Sequence, residues 1–93
     1  MIRSYADKRT AALFLGEAVR GVPHNLQRRI RAKLLAIDAA VQLQDLTRPP
    51  GNRLEALSGD RRGQHSIRVN DRWRICFRWD AGHAFDVEFV DYH

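Results

Sequence analysis

Three alternating runs separated by two short turns occupy the second half of the chain and leave few folds open to it. Residues 64–69, 72–79 and 84–90 place apolar side chains at every second position, with Asn70-Asp71 and Asp80-Ala81-Gly82-His83 between them. A period of two marks a strand with one covered face, and turns this short join antiparallel neighbours. The pattern predicts a meander whose covered face carries Ile67 and Val69, then Trp73, Ile75, Phe77 and Trp79, then Phe85, Val87 and Phe89. Such a face needs a second layer to lie on it.

The first half supplies that layer. Asp7 is placed to cap a helix running to about Val19, where Arg20-Gly21 ends it. After Val22-Pro23-His24, Asn25 is placed to cap a longer helix. Leu26, Ile30, Leu34, Ile37 and Val41 form its apolar stripe, with Arg28, Arg31 and Leu35 turned away. Pro49-Pro50-Gly51-Asn52 stops the helical half, and Ile2–Tyr5 and Arg53–Leu57 read as short strands. The predicted class is α+β: two N-terminal helices packed on a small antiparallel sheet, as a single domain over residues 1–93. At 93 residues there is no room for a second domain. No run approaches the ~18 apolar residues of a membrane span, and the N-terminus has no apolar leader segment. Cys76 is the only cysteine, so no internal disulfide forms and a reducing cytoplasm is the default compartment.

The face opposite the apolar one is basic. Arg72, Arg74, Cys76 and Arg78 alternate with the core residues of their strand, and Arg68 joins them from the strand before. Of 16 basic residues only Lys8 and Lys33 are lysine; the other 14 are arginine, and the formal net charge is +5. Arginine presents a planar fork that matches phosphate, although GC-rich coding also favours it over lysine. Neighbouring arginines repel unless acids such as Asp86 and Glu88 on the next strand pair with them, or a polyanion does. Both readings remain open on the sequence.

The chain closes on Asp91, Tyr92 and His93 with the alternation still running to Val90, so these side chains fall at the end of an ordered strand. By parity Tyr92 shares the face of Asp86, Glu88 and Arg74. Imidazole exchanges protons near neutral pH and a guanidinium holds phosphate, a combination suited to phosphodiester chemistry. His24, His65, His83 and His93 have no metal-ligand spacing, so neither metal nor cofactor is expected. A lone sheet cysteine reads as inert packing.

Several short stretches, in this order and spacing, resemble one family. They are Arg53-Leu54-Glu55-Ala56-Leu57 followed by Gly59-Asp60-Arg61, then Ser66-Ile67-Arg68-Val69-Asn70. Trp73-Arg74-Ile75-Cys76-Phe77 and the ending Glu88-Phe89-Val90-Asp91-Tyr92-His93 complete the set, and Ala36-Ile37-Asp38-Ala39-Ala40 fits it too. Over essentially its whole length the chain resembles the HigB-type toxins of the RelE/ParE superfamily of toxin–antitoxin systems. The resemblance implies the microbial-ribonuclease-like RelE fold and a metal-independent, ribosome-dependent endoribonuclease that cuts mRNA and blocks translation. It also implies a HigA-type helix-turn-helix antitoxin, and repression of operator DNA through the antitoxin complex.

The resemblance carries Asp91, Tyr92 and His93 over as the C-terminal catalytic cluster and Arg74 as the arginine on the scissile phosphate. Glu55 stands where well-known members carry histidine, and Ser58 where a lysine can occur. Glu55 is then the expected general base, with His93 supplying the leaving-group proton. Arg61, Arg62, Arg68, Arg72 and Arg78 are the expected contacts to RNA backbone, and the side formed by Leu13, Phe14 and Leu35 the expected antitoxin contact. Two other readings fit the same residues: a ParE-like inhibitor of gyrase, and a non-catalytic nucleic-acid-binding domain or co-repressor.

Overall fold

A computed structural model describes residues 1–91. Two helices, α1 (Lys8–Phe14) and α2 (His24–Ala39), precede four strands: β1 (Glu55–Ala56), β2 (Gln64–Arg68), β3 (Trp73–Asp80) and β4 (His83–Asp91). Three short 3₁₀ turns, Leu43–Thr47, Pro50–Asn52 and Gly59–Arg61, lie between α2 and β2. The strands run in the order β1-β2-β3-β4, each antiparallel to the next. The hairpin between β3 and β4 turns on Ala81 (φ 51°) and Gly82 (φ 82°), two successive left-handed residues whose twist matches that of the strands.

Both helices lie on one side of the sheet. Leu13 of α1, Ile30, Leu34 and Ile37 of α2, and Leu46 meet Ile67, Val69, Ile75, Phe77, Val87 and Phe89 in one buried cluster. Trp73 and Trp79 pack at its rim, Trp73 stacked on Phe89 with ring centroids 4.4 Å apart. The N-terminal segment runs beside β4, bridging it in parallel at Ile2–Ala84 and Tyr5–Val87. Further along, α1 serves the Phe89 backbone from the same side. Phe89 N–H donates to Thr10 Oγ1 (3.0 Å), and Arg9 Nη2 donates to the Phe89 carbonyl (2.9 Å).

Four expectations need correcting. First, α1 ends at Phe14 and not near Val19. Gly16 (φ 81°) takes the left-handed position, with Glu17 N–H on the Ala12 carbonyl and Gly16 N–H on that of Leu13. That is a glycine-terminated helix end, so Gly16 and not Gly21 is the stop. The Asp7 cap holds, its carboxylate accepting from Thr10 N–H at 2.8 Å. Second, α2 begins at His24, with Pro23 rather than Asn25 at its N-cap, and ends before Val41, which is 74% exposed. The Asp45 carboxylate accepts the N–H groups of both Val41 and Gln42 (2.9 Å each), starting a new turn and sending Leu46 into the core in place of Val41. Third, Leu13 is buried at 1% exposure, so of the proposed antitoxin-facing residues only Leu35 is well exposed.

The fourth correction concerns Phe85. The register pairs Arg78 with Phe85 but Cys76 with Glu88, so β4 carries one extra residue opposite Phe77. Asp86 absorbs it in a left-handed conformation (φ 54°), and its N–H donates to Ser4 Oγ at 2.9 Å. A bulge of this kind shifts the alternation by one place. Ala84 therefore points into the core, fully buried, and Phe85 points outward beneath the Arg78 guanidinium, 5.5 Å from its ring centroid.

Candidate active site

Register partners share a face, so the outer side of the sheet can be read row by row. The central row crosses all four strands: Glu55, Ser66, Cys76, Glu88. Arg68, Arg74 and Val90 form the next row towards the end of β4, and Gln64, Arg78 and Phe85 the row on the other side. Glu55 and Arg74 thus flank one residue: Glu55 is the register partner of Ser66, and Arg74 is bonded to it.

The Arg74 guanidinium is held at defined points. Its Nε donates to Ser66 Oγ at 2.7 Å, and its Nη2 donates to the Arg53 carbonyl (2.7 Å) and the Ser66 carbonyl (3.4 Å). Ser66 is fully buried, so the acceptor that fixes Nε is itself immobile. On the other flank the Arg61 guanidinium donates to Gln64 Oε1 and Glu88 Oε1, both at 3.1 Å, bridging β2 to β4 above Cys76. Cys76 is buried beneath these groups. Burial pushes its thiol above the usual cysteine range; Glu88 and Glu55 add to the rise, and Arg61 and Arg74 oppose it. Its alkylation by iodoacetamide at ~pH 8.5, where an ordinary cysteine is half thiolate, is expected to be slow in the native protein and fast once denatured. Equal rates would show that the thiol is open.

The arginines expected to bind RNA are mostly paired with carboxylates. Arg61 meets Glu88, Arg68 meets Asp71, Arg72 meets Asp91 (2.7 Å) and Arg78 meets Asp86 (2.8 Å). Arg62 stands exposed at the end of the Gly59–Arg61 turn. The acids named from the sequence do pair with arginines, Asp86 taking Arg78 across β3 and β4 and Glu88 taking Arg61 from the turn before β2. Ion pairs this exposed are worth little, so a phosphate can displace the carboxylate at small cost.

Of the C-terminal cluster, Asp91 lies in register opposite Trp73, and its carboxylate is held by Arg72, whose guanidinium also lies 5.1 Å from the Trp73 ring centroid. Val90, not Asp91, is the register partner of Arg74. Tyr92 and His93 lie outside the described residues. Among the described residues no three His, Cys, Asp or Glu side chains converge to hold a metal ion, and no helix is long and apolar enough to cross a membrane.

Sequence reasoning passed over Ser66 and the Arg53 carbonyl, the two acceptors that aim Arg74. Ser66 was within reach, because closing β1 onto β2 through the Ser58–Gly63 loop sets it opposite Glu55. Arg53 carried no signal: it adopts a left-handed conformation (φ 45°, ψ 55°) that arginine rarely takes.

The family model described as "RelE-like toxin of type II toxin-antitoxin system HigB" matches residues 3–93. "Endoribonuclease HigB" of Proteus vulgaris is 39% identical over 93 residues, covering 100% of both chains. "Toxin HigB-1" of Vibrio cholerae serotype O1 is 40% identical over 72 residues, 77% of this chain and 75% of that protein. Among solved structures, a chain of the "YoeB-YefM complex from Staphylococcus aureus" superposes with a TM-score of 0.63 at 16% identity, covering 100% of this chain and 98% of that one. At that identity the likeness is one of fold.

Proposed function

The chain belongs to the HigB-like toxins, RelE-like toxins of type II toxin–antitoxin systems, and as such is an endoribonuclease; we propose that its substrate is mRNA engaged on the ribosome. The observation that carries this reading is the clamped Arg74 guanidinium, set beside Glu55 on the outer sheet face, at the end where the chain runs on into Tyr92 and His93. A guanidinium fixed before substrate arrives can stabilise charge developing on a phosphate without reorganising.

In the proposed reaction the ribose 2′-oxygen attacks the adjacent phosphorus and the bond from phosphorus to the 5′-oxygen breaks, leaving a 2′,3′-cyclic phosphate and a 5′-hydroxyl. Glu55 accepts the 2′-hydroxyl proton and His93 delivers one to the departing oxygen. Arg74 holds the non-bridging oxygens, and Tyr92 orients the nucleotide. Asp91, which Arg72 meets at the end of β4, orients the site. Arg61, Arg68, Arg72 and Arg78 exchange their carboxylate partners for RNA backbone and Arg62 adds a further contact to it, which makes binding fall steeply with salt. A HigA-type antitoxin with a helix-turn-helix restrains the toxin in the cytoplasm, and the pair represses its own operator.

Primer extension on transcripts from cells expressing the chain without antitoxin tests this directly. New 5′ ends within translated regions, absent from His93→Ala cells and from naked RNA incubated with the protein, are the expected result. Cleavage of naked RNA at equal rates would remove the ribosome from the mechanism, and gyrase inhibition without new ends would replace it.

A further inference from the structure

The Arg53 carbonyl that receives Arg74 is aimed by a backbone conformation with an intrinsic cost, and left-handed non-glycine residues persist only where their surroundings enforce them. The residue before Arg53, Asn52, is firmly held. It is fully buried, and both polar atoms of its side chain have partners. Nδ2 donates to the carbonyls of Leu46 (3.2 Å) and Arg48 (3.1 Å), and Oδ1 accepts from Lys33 Nζ on α2. Its own N–H closes onto the Pro49 carbonyl (2.9 Å), and that of Arg53 onto Pro50 (3.1 Å). A continuous chain of contacts therefore runs from the middle of α2, through Asn52 and the turn it organises, to the Arg53 carbonyl and on to the Arg74 guanidinium.

We propose that Asn52, anchored by Lys33, is a positioning residue for Arg74: it presents the Arg53 carbonyl so that the guanidinium faces the scissile phosphate. The helical layer thereby reaches the outer face of the sheet without contributing a side chain to it. Lys33 suits an anchor. Its half-buried ammonium, beside Arg29 and Arg68, is held below the usual lysine range by burial and by those two charges, and the Asn52 carbonyl oxygen compensates it at that point. The proposal rests on the assignment of Arg74 to phosphate, and its test separates the two.

The test compares Asn52→Ala, Lys33→Met and Lys33→Arg in the full chain with two readouts. One is the Arg74 Nε–H resonance, assigned by its loss in Arg74→Lys; the other is cleavage of ribosome-bound message. Asn52→Ala is expected to broaden or shift the resonance and to lower kcat by about 10- to 100-fold, the scale of a misplaced catalytic group, with KM for ribosomes unchanged. Lys33→Met should do the same more mildly while leaving the turn intact, and so carries the test if Asn52→Ala does not fold; Lys33→Arg should restore most of the rate. Combined with Arg74→Ala, neither variant should slow cleavage further, because their effect passes through that guanidinium. An unchanged resonance in both variants, or losses that multiply with Arg74→Ala, overturns the proposal. A changed resonance with Arg74→Ala still fully active upholds the positioning and refutes the phosphate assignment instead.

Discussion

Arg74→Ala is expected to lower the rate of message cleavage by at least about 100-fold, since single preorganised donors to developing charge are worth 10²–10³ in other enzymes. The loss should appear in kcat, because a group that meets charge formed in the transition state contributes little to ground-state affinity. Arg74→Lys should recover little of it. Lysine keeps the charge but offers one donor centre, whereas Ser66 Oγ and the Arg53 carbonyl are spaced to take two different nitrogens of a planar fork. The variant must be shown to be folded, because removing the guanidinium leaves a buried serine oxygen unpaired, at about 1–3 kcal/mol. Single-turnover cleavage on stalled ribosomes, beside thermal unfolding, separates the two effects. A folded Arg74→Ala protein that cuts at the wild-type rate would sink the assignment.

The second large effect falls on stability. Phe89→Ala is expected to cost about 3–5 kcal/mol, the range for truncating a buried aromatic. Phe89 is fully buried, stacks on Trp73 and lies 5.3 Å from the Arg9 guanidinium. Domains of this size have on the order of 5–15 kcal/mol in all. The melting temperature should therefore fall by on the order of 20 °C. Phe85→Ala is the informative comparison. It sits four residues earlier with the same apparent phase, yet should cost about 1 kcal/mol or less because the bulge at Asp86 has turned it outward. Circular-dichroism melts of the two variants decide this, and equal losses would mean that the alternation continues unbroken through β4.

That comparison also locates where the sequence stopped being legible. Periodicity found both helices, all three long strands and the inward set Ile67, Ile75, Phe77, Val87 and Phe89, because burial imposes a period that many residues report together. It failed at single-residue events. An aspartate at φ 54° looks like any outward strand residue, and no apolar pattern announces an insertion. Gly16 and Gly21 are both plausible helix stops, and only the hydrogen bonds of the last turn choose between them. The site divides in the same way. Arg74 and Arg78 were readable as members of a face, and Arg74 and Glu55, through the family resemblance, as candidates for chemistry. The carboxylate that pairs Arg78 depends on cross-strand register, and the clamp on Arg74 depends in part on a main-chain oxygen, which has no letter in the sequence.

The way β4 is flanked has a consequence for how this protein behaves at high concentration. On one side of the sheet the N-terminal bridges and the side chains of Thr10 and Arg9 already occupy backbone groups of β4. On the other side the outermost strand, Glu55–Ala56, is two residues long. Neither margin of the sheet, among the described residues, offers the run of unsatisfied peptide groups on which a further chain can align. With or without an antitoxin bound, the described residues thus give this toxin no sheet margin on which a fibril could be templated.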